Sequence, residues 1–399
     1  MRETKRRRLK LTLAAAIAAL MLTPGISRVA ALPGKISISA GGAVELPASS
    51  LLQADIDGTS SNESFTLTAD DAGNKPLNYA LLGVLPVKTV SLSVEPERRL
   101  IPGGQSVGIA IDTEGVVVVG ASDIGSTPSP ARLAGLRSGD IIEKVNGESI
   151  SSAEELTEHL EGDNAVTLDV SRNGKALSCQ VTPAMDARDG HWRLGAWVRD
   201  STAGVGTLTF IDPETGLYGA LGHAITDVDT SVTMPVGVGE LYENRVVDVT
   251  PSKHGKPGEL TGDFVFSPEL IGTVERNTQQ GIFGHTSNTD QGLYSNGLPV
   301  AHRSELHTGL ASLLTSIDSG GPKEYACEIV RINNSDTRSM VIRVTDPELL
   351  ERTGGIVQGM SGSPIIQDGR LVGAVTHVMI NDPAMGYGIA IDAMLEAAA

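Results

Sequence analysis

The run Gly355-Ile-Val-Gln-Gly-Met-Ser-Gly-Ser-Pro-Ile-Ile-Gln-Asp-Gly-Arg-Leu-Val-Gly-Ala-Val375 decides how the C-terminal half of the chain is read. Two glycines frame Ser361, Pro364 closes the loop, and the β-branched pair Ile365–Ile366 opens a strand. Asp368-Gly369 then turns the chain back as a hairpin. A Gly-x-Ser-x-Gly elbow that leads into a helix is disfavoured, because Pro364 and Ile365–Ile366 specify a strand. Working outward, glycine turns and short β runs recur from Asp186 to the end. That pattern predicts a β-barrel or sandwich over residues 186–399.

The same run carries candidate chemistry. Gly359 lets the backbone turn so that its N–H and that of Ser361 aim at one point, as an oxyanion hole requires. Gly362 would leave room for a substrate. Ser361 is the better nucleophile than Ser363 because it stands between the glycines. A serine hydroxyl needs a base to take its proton. Of eight histidines, His223 has the strongest context, Gly219-Ala-Leu-Gly-His-Ala-Ile, after a strand and flanked by small residues. His191, His254, His285, His302 and His307 read as exposed or structurally satisfied, and His377 as buried and facing the barrel. Asp346, Asp227, Asp229, Asp248 and Asp263 are candidates to orient the imidazole. Spacing does not choose among them, and Thr345-Asp346-Pro347 also reads as a helix cap.

Upstream, Ser129-Pro-Ala-Arg-Leu-Ala-Gly-Leu-Arg-Ser-Gly-Asp-Ile-Ile-Glu-Lys-Val-Asn-Gly147 follows the buried strand Val116–Val119. Pro130 starts a short helix that Gly135 ends, and Asn146-Gly147 makes a tight turn. Ser152 caps a second helix, with Glu155 three residues later, and Asn173-Gly174 joins two last strands. This resembles the core of bacterial PDZ domains over residues 102–183. The resemblance implies an extended peptide ligand whose terminal carboxylate is caught by backbone N–H groups of Ser106, Val107, Gly108 and Ile109. His159, on the groove helix, could contact such a ligand.

The N-terminus reads as an export signal or signal anchor, residues 1–31. Lys5, Arg6, Arg7, Arg8 and Lys10 precede an apolar run from Leu11 to Leu22, short of a comfortable membrane span. Residues 32–77, rich in Gly, Ser, Asp and Asn, read as a linker of low order, and 78–101 as a small β element. Residues 1–28 hold seven Lys/Arg and one acid, so the remaining chain has 24 bases against 47 acids. A surface that acidic repels phosphate backbones and excludes nucleic acid as a partner. Cys179 and Cys327 lie in different domains and form no metal motif.

Taken together, Ile101-Pro-Gly-Gly-Gln onward, Gly219–His223, and Val344-Thr-Asp-Pro-Glu-Leu-Leu-Glu-Arg-Thr-Gly-Gly-Ile-Val-Gln-Gly-Met-Ser-Gly-Ser-Pro resemble the SpoIVB-type sporulation serine peptidases over roughly residues 78–399. The resemblance implies a mainly β chain, with a PDZ domain (α+β) followed by a chymotrypsin-like β-barrel serine protease domain. It implies a cofactor-free, metal-free endopeptidase with Ser361 as nucleophile, His223 as base and Asp346 as acid. The enzyme would be exported from the forespore into the intermembrane space. There it would cleave a membrane-tethered regulator of an intramembrane protease, and itself under PDZ guidance, so triggering processing of the late mother-cell sigma factor. The reading from a different class is a non-catalytic PDZ adaptor whose protease-like domain merely folds.

Overall fold

The computed structural model describes residues 29–30, 32–69, 71–264, 270–289, 293–333 and 335–399. The export segment expected at residues 1–31 lies almost wholly outside them. Among the described residues no helix is long and apolar enough to cross a membrane. The chain divides into two compact units, residues 1–98 with 299–307, and residues 99–298 with 308–399.

The first unit overturns the expectation of a linker over residues 32–77. It is a β structure whose main sheet has the strand order Lys35–Ser39, Leu85–Glu95, Gly73–Leu81, Leu52–Ile56, Thr59–Ser61, and a second pair, Gly42–Leu46 with Phe65–Ala69. Short alternating runs such as Ile36, Ile38 and Val44, Leu46 send their apolar side chains into one core with Leu52, Leu77, Tyr79, Val90 and Leu92. The glycines, aspartates and asparagines that suggested disorder supply the turns, as at Asp57-Gly58, where both residues have positive φ. One partner comes from far along the chain. Glu305 accepts hydrogen bonds from the Ser39 N–H and hydroxyl at 3.1 and 3.0 Å.

In the second unit the PDZ core forms as its sequence predicts. Ser129 caps Pro130–Leu133, and Ser152 caps Ala153–Glu158. Asn146-Gly147 and Asn173-Gly174 adopt positive φ at both central positions, as a type I′ turn requires. Glu155 departs slightly from a capping box, because its carboxylate takes the N–H and hydroxyl of Ser151. Val116, Val118, Ile142, Leu156, Leu168 and Val170 fill the interior. Asp140 is buried there and accepts from Arg172 Nε at 2.6 Å and Nη2 at 2.7 Å.

The boundary between the two domains is not a cut at residue 183. Ser106–Ala121 is one long strand. Its C-terminal half pairs with Ile141–Ile142 of the PDZ core. Its N-terminal half lies between Ser201–Thr207 and Val238–Glu243 of the peptidase portion. Conversely, Leu194 belongs to the PDZ core and Ala196 and Val198 pack on it. Each domain therefore borrows a strand half from the other.

Beyond this sheet the chain closes a six-stranded antiparallel barrel in the order Gly309–Thr315, Lys323–Ile332, Met340–Val344, Asp382–Ala390, Arg370–Met379, Pro364–Gln367. The architecture of this unit is mainly β, a PDZ-like core continuous with an open sheet and joined to a closed six-stranded barrel. His223 arises from the open sheet and Ser361 from the closed barrel.

Candidate active site

His223 follows the strand Leu217–Ala220 through Leu221 and Gly222, which have φ of 67° and 69°. A leucine held in the left-handed region is strained and persists only where its surroundings enforce it. Here they do. Leu221 is buried, and its N–H donates to Thr207 O at 3.2 Å. Thr207 in turn holds the serine loop. Its N–H donates to Ser361 O at 2.8 Å, and its hydroxyl to Gly359 O at 2.8 Å. Two positions on, the Thr209 hydroxyl donates to Gly362 O at 2.8 Å. One strand, Ala196–Ile211, thus fastens the histidine turn and the serine loop together.

That clamp revises the role of Gly362. A Cβ there would stand 2.0 Å from Thr207 O and 2.5 Å from Leu221 N. The glycine admits the protein's own backbone. Thr207 and Thr209 were invisible to motif reading, since a threonine in a β run is what any strand prefers.

Ser361 and His223 each approach the strand Arg370–Met379. The Ser361 hydroxyl donates to Thr376 O at 2.7 Å. One residue on, the rings of His223 and His377 lie 4.9 Å apart at 39°. The expectation that His377 faces the barrel interior is corrected: its ring keeps an exposed edge while packing against His223. Period-two alternation would set His377 beside the buried Val375, but the register shifts between these two residues, where the strand is irregular. Ser363, the rejected nucleophile, is also buried, and its hydroxyl donates to Thr315 Oγ1 at 2.9 Å.

The tautomer of His223 follows from one contact. Its Nδ1 lies 2.8 Å from Ala224 O. A carbonyl oxygen only accepts, so Nδ1 carries the proton and Nε2 keeps its lone pair. Burial lowers the pKa of His223, and the Ala224 carbonyl partly opposes the shift. His377 is also held below the ordinary imidazole value, first by its packing and then by His223 and Arg338. Both rings are neutral at physiological pH. They open on a cleft of about 310 Å³ shared with Ala224, Thr226, Gln279, Thr337 and Arg338. Among the described residues no carboxylate lines it.

The aspartates stand elsewhere. Asp346 is the N-cap of Pro347–Thr353, accepting from the N–H of Leu349 at 3.1 Å and of Ala326 at 3.2 Å. The ladder places it well away from the cleft. Tyr387 pairs with both His377 and Val341. Asp346 lies five residues beyond Val341, or roughly 15 Å along the strand direction. The hydrogen bonds of Asp346 are those of a helix cap. Asp227 is buried and engaged by Arg199, Thr230 and the Asp229 N–H, while Asp229 pairs with Arg199. Asp248 and Asp263 are exposed on the hairpin Val238–Phe264. We expect Asp346→Asn to leave kcat within about fivefold of wild type while lowering stability by ~1 kcal/mol. Steady-state kinetics beside thermal melts would test this, and a thousandfold fall in kcat with an unchanged melt would point to the triad.

Gly359, with φ of 96°, and Ser361 hold their N–H groups free of protein acceptors among the described residues. The peptide-binding residues expected in the PDZ domain are placed differently. Ser106 is buried and accepts from Asn244 Nδ2 at 2.7 Å. Val107, Gly108 and Ile109 are flanked by paired strands on both edges. They form no loop and have no open edge for a carboxylate. The motif was read correctly, but the strand it announces was annexed by the peptidase sheet. His159 ends the helix Ala153–Glu158 and lies 3.7 Å from Glu148. Cys179 and Cys327 are free thiols, and burial pushes Cys327 up to about 12.

Comparison with known proteins agrees with this layout. The SpoIVB peptidase S55 family model matches residues 190–395, and a PDZ domain model matches residues 126–172. A zinc metalloprotease RasP of Shouchella clausii is 29% identical over 189 residues, which is 44% of this chain and 43% of that protein. The chain thus spans less than half the length of that curated relative. Among solved structures, the PDZ domain of the SdrC-like protein of Listeria monocytogenes matches at 20% identity and a TM-score of 0.20, covering 22% of this chain and 90% of that one. The HtrA-type protease AlgW with a decapeptide matches at 12% identity and a TM-score of 0.28, covering 51% of this chain and 53% of that one. With a family model that spans just over half of its length and takes in both His223 and Ser361, the chain carries a PDZ domain and belongs to the SpoIVB peptidase S55 family.

Proposed function

We propose that this peptidase cleaves a membrane-tethered regulatory protein outside the cytoplasm, using Ser361 as nucleophile and His223 as base. The observation that carries the catalytic part is the approach of Ser361 and His223 to consecutive residues of one strand. To react, the Ser361 hydroxyl leaves Thr376 O and turns to His223 Nε2. His223 takes the proton as Oγ attacks the peptide carbonyl, and the N–H groups of Gly359 and Ser361 receive the oxyanion. His223 then returns the proton to the leaving amine. The Ala224 carbonyl does what an aspartate does in the usual triad, fixing the ring through Nδ1. His377 is a positioning residue whose neutral ring supports the imidazolium as it forms. The tethered substrate, self-cleavage, export from the forespore and the sigma-factor pathway belong to the same proposal. They are supported by the family membership and by the basic, apolar N-terminal sequence.

A fluorophosphonate probe tests the core of this reading. It should label Ser361 stoichiometrically, identified by peptide mass spectrometry, and His223→Ala should abolish the labelling. Label on another serine would refute it and would favour the adaptor reading.

The role of His377 is separately testable by pH. The neutral form of His223 is the active one, and burial lowers its pKa. We therefore expect kcat/KM to rise with pH through a midpoint below the ordinary 6.5 and then level off. His377→Gln should lower kcat by about a hundredfold while the rise with pH, which belongs to His223, stays in place. Unchanged kcat in His377→Gln would disconnect His377 from the base.

A further inference from the structure

The hairpin that joins Gly73–Leu81 to Leu85–Glu95 in the first unit ends in Leu82-Gly83-Val84. Its tip presents Leu82, Val84, Leu85 and Val87, exposed by 64, 79, 60 and 43%. Among the described residues of this unit these are all of the exposed large hydrophobic side chains. They fall within six consecutive positions that hold no charge. Isolated exposed apolar residues need no explanation, but a contiguous cluster at the end of a projecting hairpin does. Leu82 adds a second observation. Its φ is 54°, a conformation in which glycine or asparagine would be less strained. The apolar side chain is kept there against that strain.

We infer that this hairpin tip inserts into the interfacial layer of a lipid bilayer. The chain's point of entry argues for lipid as the occupant. Near the turn of the hairpin, where it pairs with Tyr79, Lys88 donates through Nζ to the carbonyls of Leu32 and, at 3.2 Å, of Ala30. The first residues of the unit are therefore fastened beside the hairpin, with the tip roughly 13 Å further on. Upstream, the basic cluster Lys5–Lys10 and the apolar run Leu11–Leu22 read as a membrane-directed segment. Eight residues separate Leu22 from Ala30, a reach of at most about 29 Å. A membrane-held segment would keep the tip within reach of the same bilayer. Charge argues the same way. Residues 29–399 carry 24 bases against 47 acids, so adsorption to anionic lipid by charge is opposed and contact must be apolar. The tip has no aromatic or hydrogen-bonding side chain with which to specify a protein partner.

The test uses the full chain, with Cys179→Ala to remove the accessible native thiol, reconstituted into phosphatidylcholine vesicles containing a quarter phosphatidylglycerol. An environment-sensitive nitrobenzoxadiazole probe is placed at Val84→Cys or, as control, at Ser60→Cys on the strand Thr59–Ser61 of the same unit. The label at 84 should shift to shorter wavelength. It should be quenched by doxyl-labelled lipid about fivefold more than the label at 60, consistent with a depth of roughly 5–10 Å. Equal and weak lipid quenching at the two sites, with position 84 open to aqueous iodide, would overturn the inference. So would shielding of position 84 from iodide that persists in detergent without lipid, because the tip would then be covered by protein. Neither readout depends on peptidase activity.

Discussion

Ser361→Ala should lower kcat by a factor on the order of 10⁴ to 10⁶ while leaving the fold intact. The side chain makes one hydrogen bond, to Thr376 O. Its removal leaves the carbonyl of the buried Thr376 without that donor, so a stability loss of about 1–3 kcal/mol follows. His223→Ala should fall by a comparable factor, and the double variant by little more, because nucleophile and base act as one unit. Ser363→Ala is the matched control. It loses a buried hydrogen bond to Thr315 and should melt lower, yet retain activity within about tenfold. The measurement is cleavage of a peptide or of the chain itself by purified protein, at a temperature where circular dichroism shows every variant folded. Undiminished cleavage by Ser361→Ala would remove the serine mechanism altogether. Additive losses in the double variant would separate Ser361 from His223 and leave the proton without its proposed acceptor.

The residues that could be read in advance are those whose local chemistry is self-sufficient. Ser361 is legible because two glycines and a proline fix its loop without help from the rest of the chain. The PDZ helices are legible for the same reason, since Ser129 and Ser152 satisfy orphan N–H groups within three residues. At Asp346 the same locality leaves two readings. A Thr-Asp-Pro cap and a catalytic aspartate look alike in one dimension, and the structure displays the cap hydrogen bonds.

What escaped was non-local. No pattern in Thr207-Leu-Thr209 shows that its hydroxyls hold a loop more than 150 positions away. Ser106–Ile109 carried the glycine expected of a carboxylate-binding loop, but the edge that such a loop needs is filled by Val238–Glu243. Residues 32–77 looked loose because turn residues outnumber strand residues there, while their apolar partners come from Leu77 to Val94. His377 was assigned to the interior because it sits on the strand after the nucleophile. A register shift between Val375 and His377 breaks the alternation there.

Gly362→Ala carries the second large effect, and it probes how the two halves of the site are joined. The residue has φ of 97°, and a methyl group would collide with Thr207 O at 2.0 Å and Leu221 N at 2.5 Å. Both are backbone atoms, so no side chain can rotate away. Relief requires Thr207 to separate from the serine loop. That breaks the Thr207 N–H bond to Ser361 O, and it strains the Leu221 turn that carries His223. Left-handed strain and overpacking together predict a destabilisation of about 3–5 kcal/mol. Surviving folded protein should lose at least about a hundredfold in kcat, because misplacement of one partner by an ångström is enough. Gly369→Ala is the control for conformational strain alone. Its φ is 71° and its surroundings are open, so a loss of about 1 kcal/mol with unchanged kcat is expected. Leu221→Ala should not rescue Gly362→Ala, since the clash is with main-chain atoms. Wild-type melting and activity in Gly362→Ala would mean that the histidine turn and the serine loop do not touch as described, and that the two catalytic groups are held together by something other than Thr207.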